Sequence, residues 1–138
     1  MKRKHILIIL CLSILLSCKT ANQNARLESK EKKEWIFAFK SQTFYECLIN
    51  SGAIVEKDAS PSLNFQILGD LNILSQINSI GKNYSKIIND RSTWFKGGDL
   101  EGYKSITNGC LFFFESKELD SIANLEYLNM KLTNKKNQ

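Results

Sequence analysis

"YKSITNGCLFFF", residues 103–114, carries the most regular pattern in the chain. Tyr103, Ile106, Thr107, Cys110, Phe113 and Phe114 recur at steps of three and four, the spacing that gathers side chains on one face of an α-helix. Taken alone, the run 111–114 would also suit a buried strand; the stripe around it decides for a helix. Cys110 lies at the centre of that stripe.

On the C-terminal side, Ser116 is placed to cap another helix, with Glu118 and Asp120 near its positive end. Leu119, Ile122, Leu125 and Leu128 are expected to form its apolar side. Residues 131–138 are polar and read as a disordered tail.

On the N-terminal side, residues 34–51 hold Trp35, Phe37, Phe39, Phe44 and Tyr45. Phe37, Phe44, Cys47 and Leu48 share a helical face there, and Gly52 stands where a C-terminal cap belongs. Ser60-Pro61 opens a second helix, with serine as N-cap and proline in the first helical position. Leu63, Ile67, Leu71 and Leu74 continue it. A second stripe, Ile73, Ile77, Ile80, Tyr84, Ile87 and Ile88, is interrupted by Gly81, which costs a helix about 1 kcal/mol relative to alanine. A break is therefore expected at 79–81. The fold class is all-α, a single compact bundle of about five helices over residues 34–130.

Between the last two regions lies "NDRSTWFKGGDLEG", residues 89–102, built of loop formers. Trp94 and Phe95 sit inside it. They either pack back on the core or project as binding anchors, since buried aromatics dominate interface energetics.

The first residues belong to a different kind of segment. Lys2, Arg3 and Lys4 precede an apolar run from Ile6 to Leu16, the layout of a secretory signal over 1–17. Leu15-Leu16-Ser17-Cys18 resembles the lipobox of bacterial lipoproteins, which would make Cys18 the acylated first residue of the processed chain, held at the periplasmic face of an envelope membrane by its lipid. A cleaved signal without lipid and an uncleaved anchor are the alternatives. Residues 18–33 hold no aromatic and read as a flexible, solvated tether.

Charge and histidine narrow the function. The chain carries +5 in total, but residues 34–130 hold 8 basic and 12 acidic residues, so the excess belongs to the ends. A nucleic-acid partner needs a basic face on the fold and is not expected. His5 is the only histidine and lies in the signal, which removes the usual Ser-His-Asp and Cys-His nucleophiles. The carboxylate pairs Asp99 with Glu101 and Glu118 with Asp120 read as solvated surface. Gly97-Gly98 lacks the lysine and hydroxyl residue of a phosphate loop. No metal spacing occurs, so no catalytic residue, metal or cofactor is expected.

Of four cysteines, Cys11 leaves with the signal and Cys18 would be lipidated. Cys47 and Cys110 each lie on a core stripe of an exported domain. A disulfide joining the two helices is the economical reading, against two buried thiols.

Beyond these readings, "NGCLFFFESKELDSI" resembles the immunity proteins that oppose type VI secretion amidases. Cys110, Leu111, Ser116, Lys117, Glu118, Leu119 and Asp120 carry the likeness, and "YECLIN", with Cys47 and Leu48, is similar to the segment holding the other cysteine. The likeness covers residues 34–129 and is weakest over 53–95. It implies an α-helical exported protein, usually dimeric, that binds a peptidoglycan amidase effector and blocks its active-site groove without catalytic residues of its own. By position, residues 92–101 would face the toxin, with Trp94, Phe95, Lys96, Asp99 and Glu101 as contacts. The lipobox departs from the simple cleaved signal of that family. The competing expectation is an envelope-assembly lipoprotein with no toxin partner.

Overall fold

The computed structural model describes residues 2–53 and 57–136, with side chains from Gln23 onward apart from Asn24 and Thr93. The side chains of the signal segment and of Cys18 lie outside this set, as do residues 137–138 of the tail. Contacts divide the chain into two compact units, Met1–Lys33 and Glu34–Gln138. Among the described residues no helix is long and apolar enough to cross a membrane.

The order of elements is α1 (Lys2–Asn50), α2 (Ser60–Leu68), α3 (Leu71–Asn89), two short 3-10 turns (Arg91–Thr93 and Gly98–Leu100), α4 (Ile106–Phe114) and α5 (Lys117–Lys136). The protein is all-α, with no strand among the described residues. Residues 18–33, expected as a flexible tether, are helical. That stretch has no glycine or proline and is rich in Ala, Arg, Leu, Glu and Lys, all good helix formers. The second unit contains the core.

Within that unit α1 turns Trp35, Ala38, Phe39, Thr43 and Cys47 inward. Trp35 stacks on Phe39 and meets Tyr127 of α5 edge-on, each at 5.5 Å between centroids. Phe37, expected inside, is exposed; it pairs edge-on with Phe114, as does Phe44. Aromatics occupy both sides of this helix, so periodicity alone fits two faces, and the Trp35–Phe39–Tyr127 cluster selects one. Gln42 and Asn64 are buried polar residues from α1 and α2. Asn64 Nδ2 donates to Gln42 Oε1 at 3.2 Å, and Gln42 Nε2 donates to Glu46 Oε1, which satisfies groups that would otherwise be costly to bury.

The break between α2 and α3 falls at Gly69-Asp70, ahead of the expected site. Gly69 takes the left-handed conformation (φ 67°) that ends a helix, donating its N–H to the Phe65 carbonyl. Asp70 is extended and accepts the Asn72 N–H at 2.8 Å. α2 consequently turns Asn64 and Leu68 inward, leaving Leu63 and Ile67 exposed, and Leu71 becomes the exposed first residue of α3. At its start, Ala59 is the cap residue rather than Ser60, and the Asp58 carboxylate accepts both the Ser60 N–H and hydroxyl. Those bonds hold the Asp58 carboxyl below its ordinary value.

α3 passes through Gly81 unbroken. Gly81 is buried, and a Cβ there would stand 2.6 Å from Glu46 Cβ and 2.9 Å from the Cys47 amide nitrogen. The glycine lets α3 cross α1 at near backbone contact. Tyr84 and Phe113 stack at 3.9 Å where α3 meets α4. The α5 helix begins as expected, with the Ser116 hydroxyl accepting the Leu119 N–H. Its inner face is Leu119, Ala123 and Tyr127; Leu125 and Leu128 point outward. Lys40 of α1 pairs with Asp120. Residues 131–136, expected to fray, continue the helix, and Lys135 and Lys136 complement its C-terminal dipole.

Gly81→Ala should lower stability by about 1–3 kcal/mol through overpacking against the α1 backbone, while Ser79→Ala, exposed on the same helix, should stay within about 0.5 kcal/mol of wild type. Urea denaturation followed by circular dichroism checks both. Equal midpoints would show that α1 and α3 do not touch there.

Candidate functional site

The loop that follows α3 is built in two stages. Asp90 is extended and accepts the Ser92 N–H at 2.9 Å, starting the first 3-10 turn. This backbone bond, followed by one from the Ser92 side chain, holds the Asp90 carboxyl below its ordinary value. The cap is therefore fully formed above the ordinary carboxylate range and loosens as pH falls through the lowered value. Phe95 then donates its N–H to the Tyr103 carbonyl at 3.1 Å, and its own carbonyl accepts the Gly102 N–H at 3.0 Å. This reciprocal pair closes residues 95–103 into a compact surface loop.

Inside the loop, Gly97, Gly98 and Gly102 all have positive φ (85°, 71° and 81°), which L side chains adopt only with strain. The second 3-10 turn is tied by Glu101 N–H to Gly98 carbonyl and Tyr103 N–H to Leu100 carbonyl.

Five candidates were marked by sequence, and they separate here. Phe95 is 47% exposed, and Lys96, Asp99 and Glu101 are exposed around it. Trp94 is half-buried, and its Nε1 is enclosed with no hydrogen-bond acceptor among the described residues. Lys104 Nζ stands 5.0 Å from the indole ring, and the Arg91 guanidinium 5.9 Å, within cation–π range. Lys104 also donates to Asn89 Oδ1 at 2.7 Å, and Asn89 Nδ2 donates to the Asn50 carbonyl. Trp94 is thus a strut tying the loop to the ends of α3 and α1. Leu100 and Tyr103, 52% and 64% exposed, were not marked. Tyr103 fits the α4 stripe by spacing, but that helix starts only at Ile106.

The Cys47–Cys110 disulfide is present, fully buried, with Cα atoms 5.8 Å apart and a sequence separation of 63. It fixes α4 to α1, and so anchors the C-terminal end of the loop to the helix that α3 crosses at Gly81. Among the described residues no three His, Cys, Asp or Glu side chains gather as a metal site would require. Comparison with protein-family models, curated proteins and solved structures finds no match.

Replacing both Cys47 and Cys110 with alanine should remove up to roughly 4 kcal/mol, the loop-closure entropy for a ring of this size. Hydrogen exchange at the Phe95 and Gly102 amides should accelerate along with it. An unchanged denaturation midpoint, or loop amides indifferent to the bridge, would show that the loop is held by other means.

Proposed function

We propose that this chain is an immunity protein: an exported helical domain that binds a secreted peptidoglycan amidase and occludes its catalytic cleft. The observation that carries the reading is the closed loop 95–103, which presents Phe95, Leu100 and Tyr103 beside Asp99 and Glu101. A loop already fixed by backbone bonds and left-handed glycines loses little further freedom on binding, and this favours affinity. Its apolar side chains supply area to bury, and its carboxylates complement a basic surface and hasten encounter. The disulfide suits an oxidising compartment, and residues 6–138 hold no histidine. The resemblance around Cys110 supplies the class of partner. The lipobox-like Leu15-Leu16-Ser17-Cys18 supports a position at a membrane of the envelope, where an incoming amidase would meet the wall.

In this reading Phe95 is the anchor, and Trp94, flanked by Lys104 and Arg91, helps to hold the loop. Phe95→Ala should weaken inhibition by about 2 kcal/mol, near 30-fold. Asp99→Asn with Glu101→Gln should chiefly slow association and flatten its salt dependence. The test directs a secreted peptidoglycan cysteine amidase, sought first among the neighbouring genes, to the periplasm with and without this protein, together with inhibition of the purified pair. Equal killing in both strains would end the inhibitor reading and favour an envelope-assembly role.

A further inference from the structure

Helix α5 carries a second apolar face. Leu119, Ala123 and Tyr127 are buried in the core. Leu125, Leu128 and Leu132 fall about half a turn away, and they are 57%, 54% and 60% exposed. Charge along the helix is uneven. Its first half holds Lys117 with Glu118, Asp120 and Glu126, and Asp120 is paired with Lys40. After Glu126 no acidic residue follows, whereas Lys131, Lys135 and Lys136 do. Lys135 and Lys136, both exposed, fall on either side of the leucine row, about 50° from its centre at 3.6 residues per turn. Glu126 is on the far side, about 130° away. The outward face of α2 is the opposite case. Leu63 and Ile67 are exposed there too, but residues 58–70 hold Asp58 and Asp70 and no cation, with Lys57 preceding them.

From this arrangement we infer that the C-terminal half of α5 lies on an anionic bilayer surface. Leu125, Leu128 and Leu132 enter the acyl boundary, and the lysine chains extend outward to the headgroup phosphates. Leucines between snorkelling cations are the composition of an interfacial helix. A second copy of the chain fits the face less well. Antiparallel, it would set Leu132 against Ser121; parallel, it would set Lys135 against Lys135. A bilayer covers all three leucines and takes every lysine. Each lysine at such a surface is worth roughly fivefold in partition, so the patch alone binds weakly. An anchor at the other end of the chain, as read from Leu15-Leu16-Ser17-Cys18, would raise its effective concentration at the membrane. The contact is independent of the inhibitor reading.

The test reconstitutes the full chain, disulfide intact, in vesicles of brominated phosphatidylglycerol and, separately, of brominated phosphatidylcholine. Leu128→Trp places a reporter on the α5 face, and Leu63→Trp places one on α2. Both positions are exposed, so the circular dichroism spectrum should be that of the parent chain. In phosphatidylglycerol, the emission that Leu128→Trp adds over the parent should be blue-shifted and mostly quenched by the bromines. The emission added by Leu63→Trp should not be. Phosphatidylcholine or high salt should restore the emission at 128. So should Lys135→Glu with Lys136→Glu, which lowers partition about 25-fold or more. Absence of quenching at 128, equal quenching at 63, or quenching indifferent to both lipid charge and the lysines would overturn the proposal. So would a reporter at 128 that is blue-shifted but unquenched and follows protein density, since a second copy would then cover the face. These substitutions leave loop 95–103 untouched, so failure here is separate from failure of the inhibitor reading.

Discussion

The buried bond between Cys47 and Cys110 lies where three helices converge, and two glycines make room for it. Gly81 of α3 faces the backbone of residues 46–47, and a Cβ at Gly109, beside Cys110, would stand 3.0 Å from the Ile88 side chain. α1, α3 and α4 thus meet around one covalent link enclosed by Ile88, Phe44, Leu48, Tyr84 and Ile106. The larger apolar cluster, from Trp35 and Phe39 to Leu119 and Tyr127, sits beside it and is joined through Tyr84. Larger side chains at Gly81 or Gly109 would push the helices apart, and the cysteines would lose the proximity that a disulfide demands.

From that convergence the loop inherits its position. Its N-terminal stem leaves α3 just after Ile88, and its C-terminal stem enters α4 four residues before Cys110. Both stems are pinned to α1, one by helix crossing and one by the covalent link. The backbone pair at Phe95, Gly102 and Tyr103 then closes a ring whose base does not splay. A short, glycine-rich excursion becomes a fixed feature because its supports are rigid.

Much of this was legible in the sequence because helical spacing reports burial directly. Cys110 and Phe113 of the stripe are buried, Ser116 caps α5 and Cys47 pairs with Cys110, whereas Tyr103 precedes the helix and Thr107 faces out. The errors share a cause. In α1, α2 and α5 apolar residues occupy more than one side, so a three-four rhythm does not single out the inner face. Hence Phe37, Leu63 and Leu125 point outward. Gly81 was read as a propensity defect, whereas its role is close approach, a tertiary fact that no local pattern reveals. Conversely, Gly69-Asp70 holds a left-handed cap and a carboxylate N-cap side by side, a signal present in the sequence but masked by the aliphatic run across it. Trp94 behaves as a support because cations at 91 and 104 frame its ring, an arrangement only the folded loop creates.

The chain has just two tryptophans, and the structure gives them contrasting surroundings. Trp35 is sealed in the aromatic core, while Trp94 is half-covered beneath the loop and flanked by Lys104 and Arg91. Each indole therefore reports a different event in fluorescence: one the integrity of the bundle, the other the seating of the loop. With Trp35 replaced by phenylalanine, the remaining emission would follow the loop alone, making the protein its own optical gauge of anything that settles on that surface.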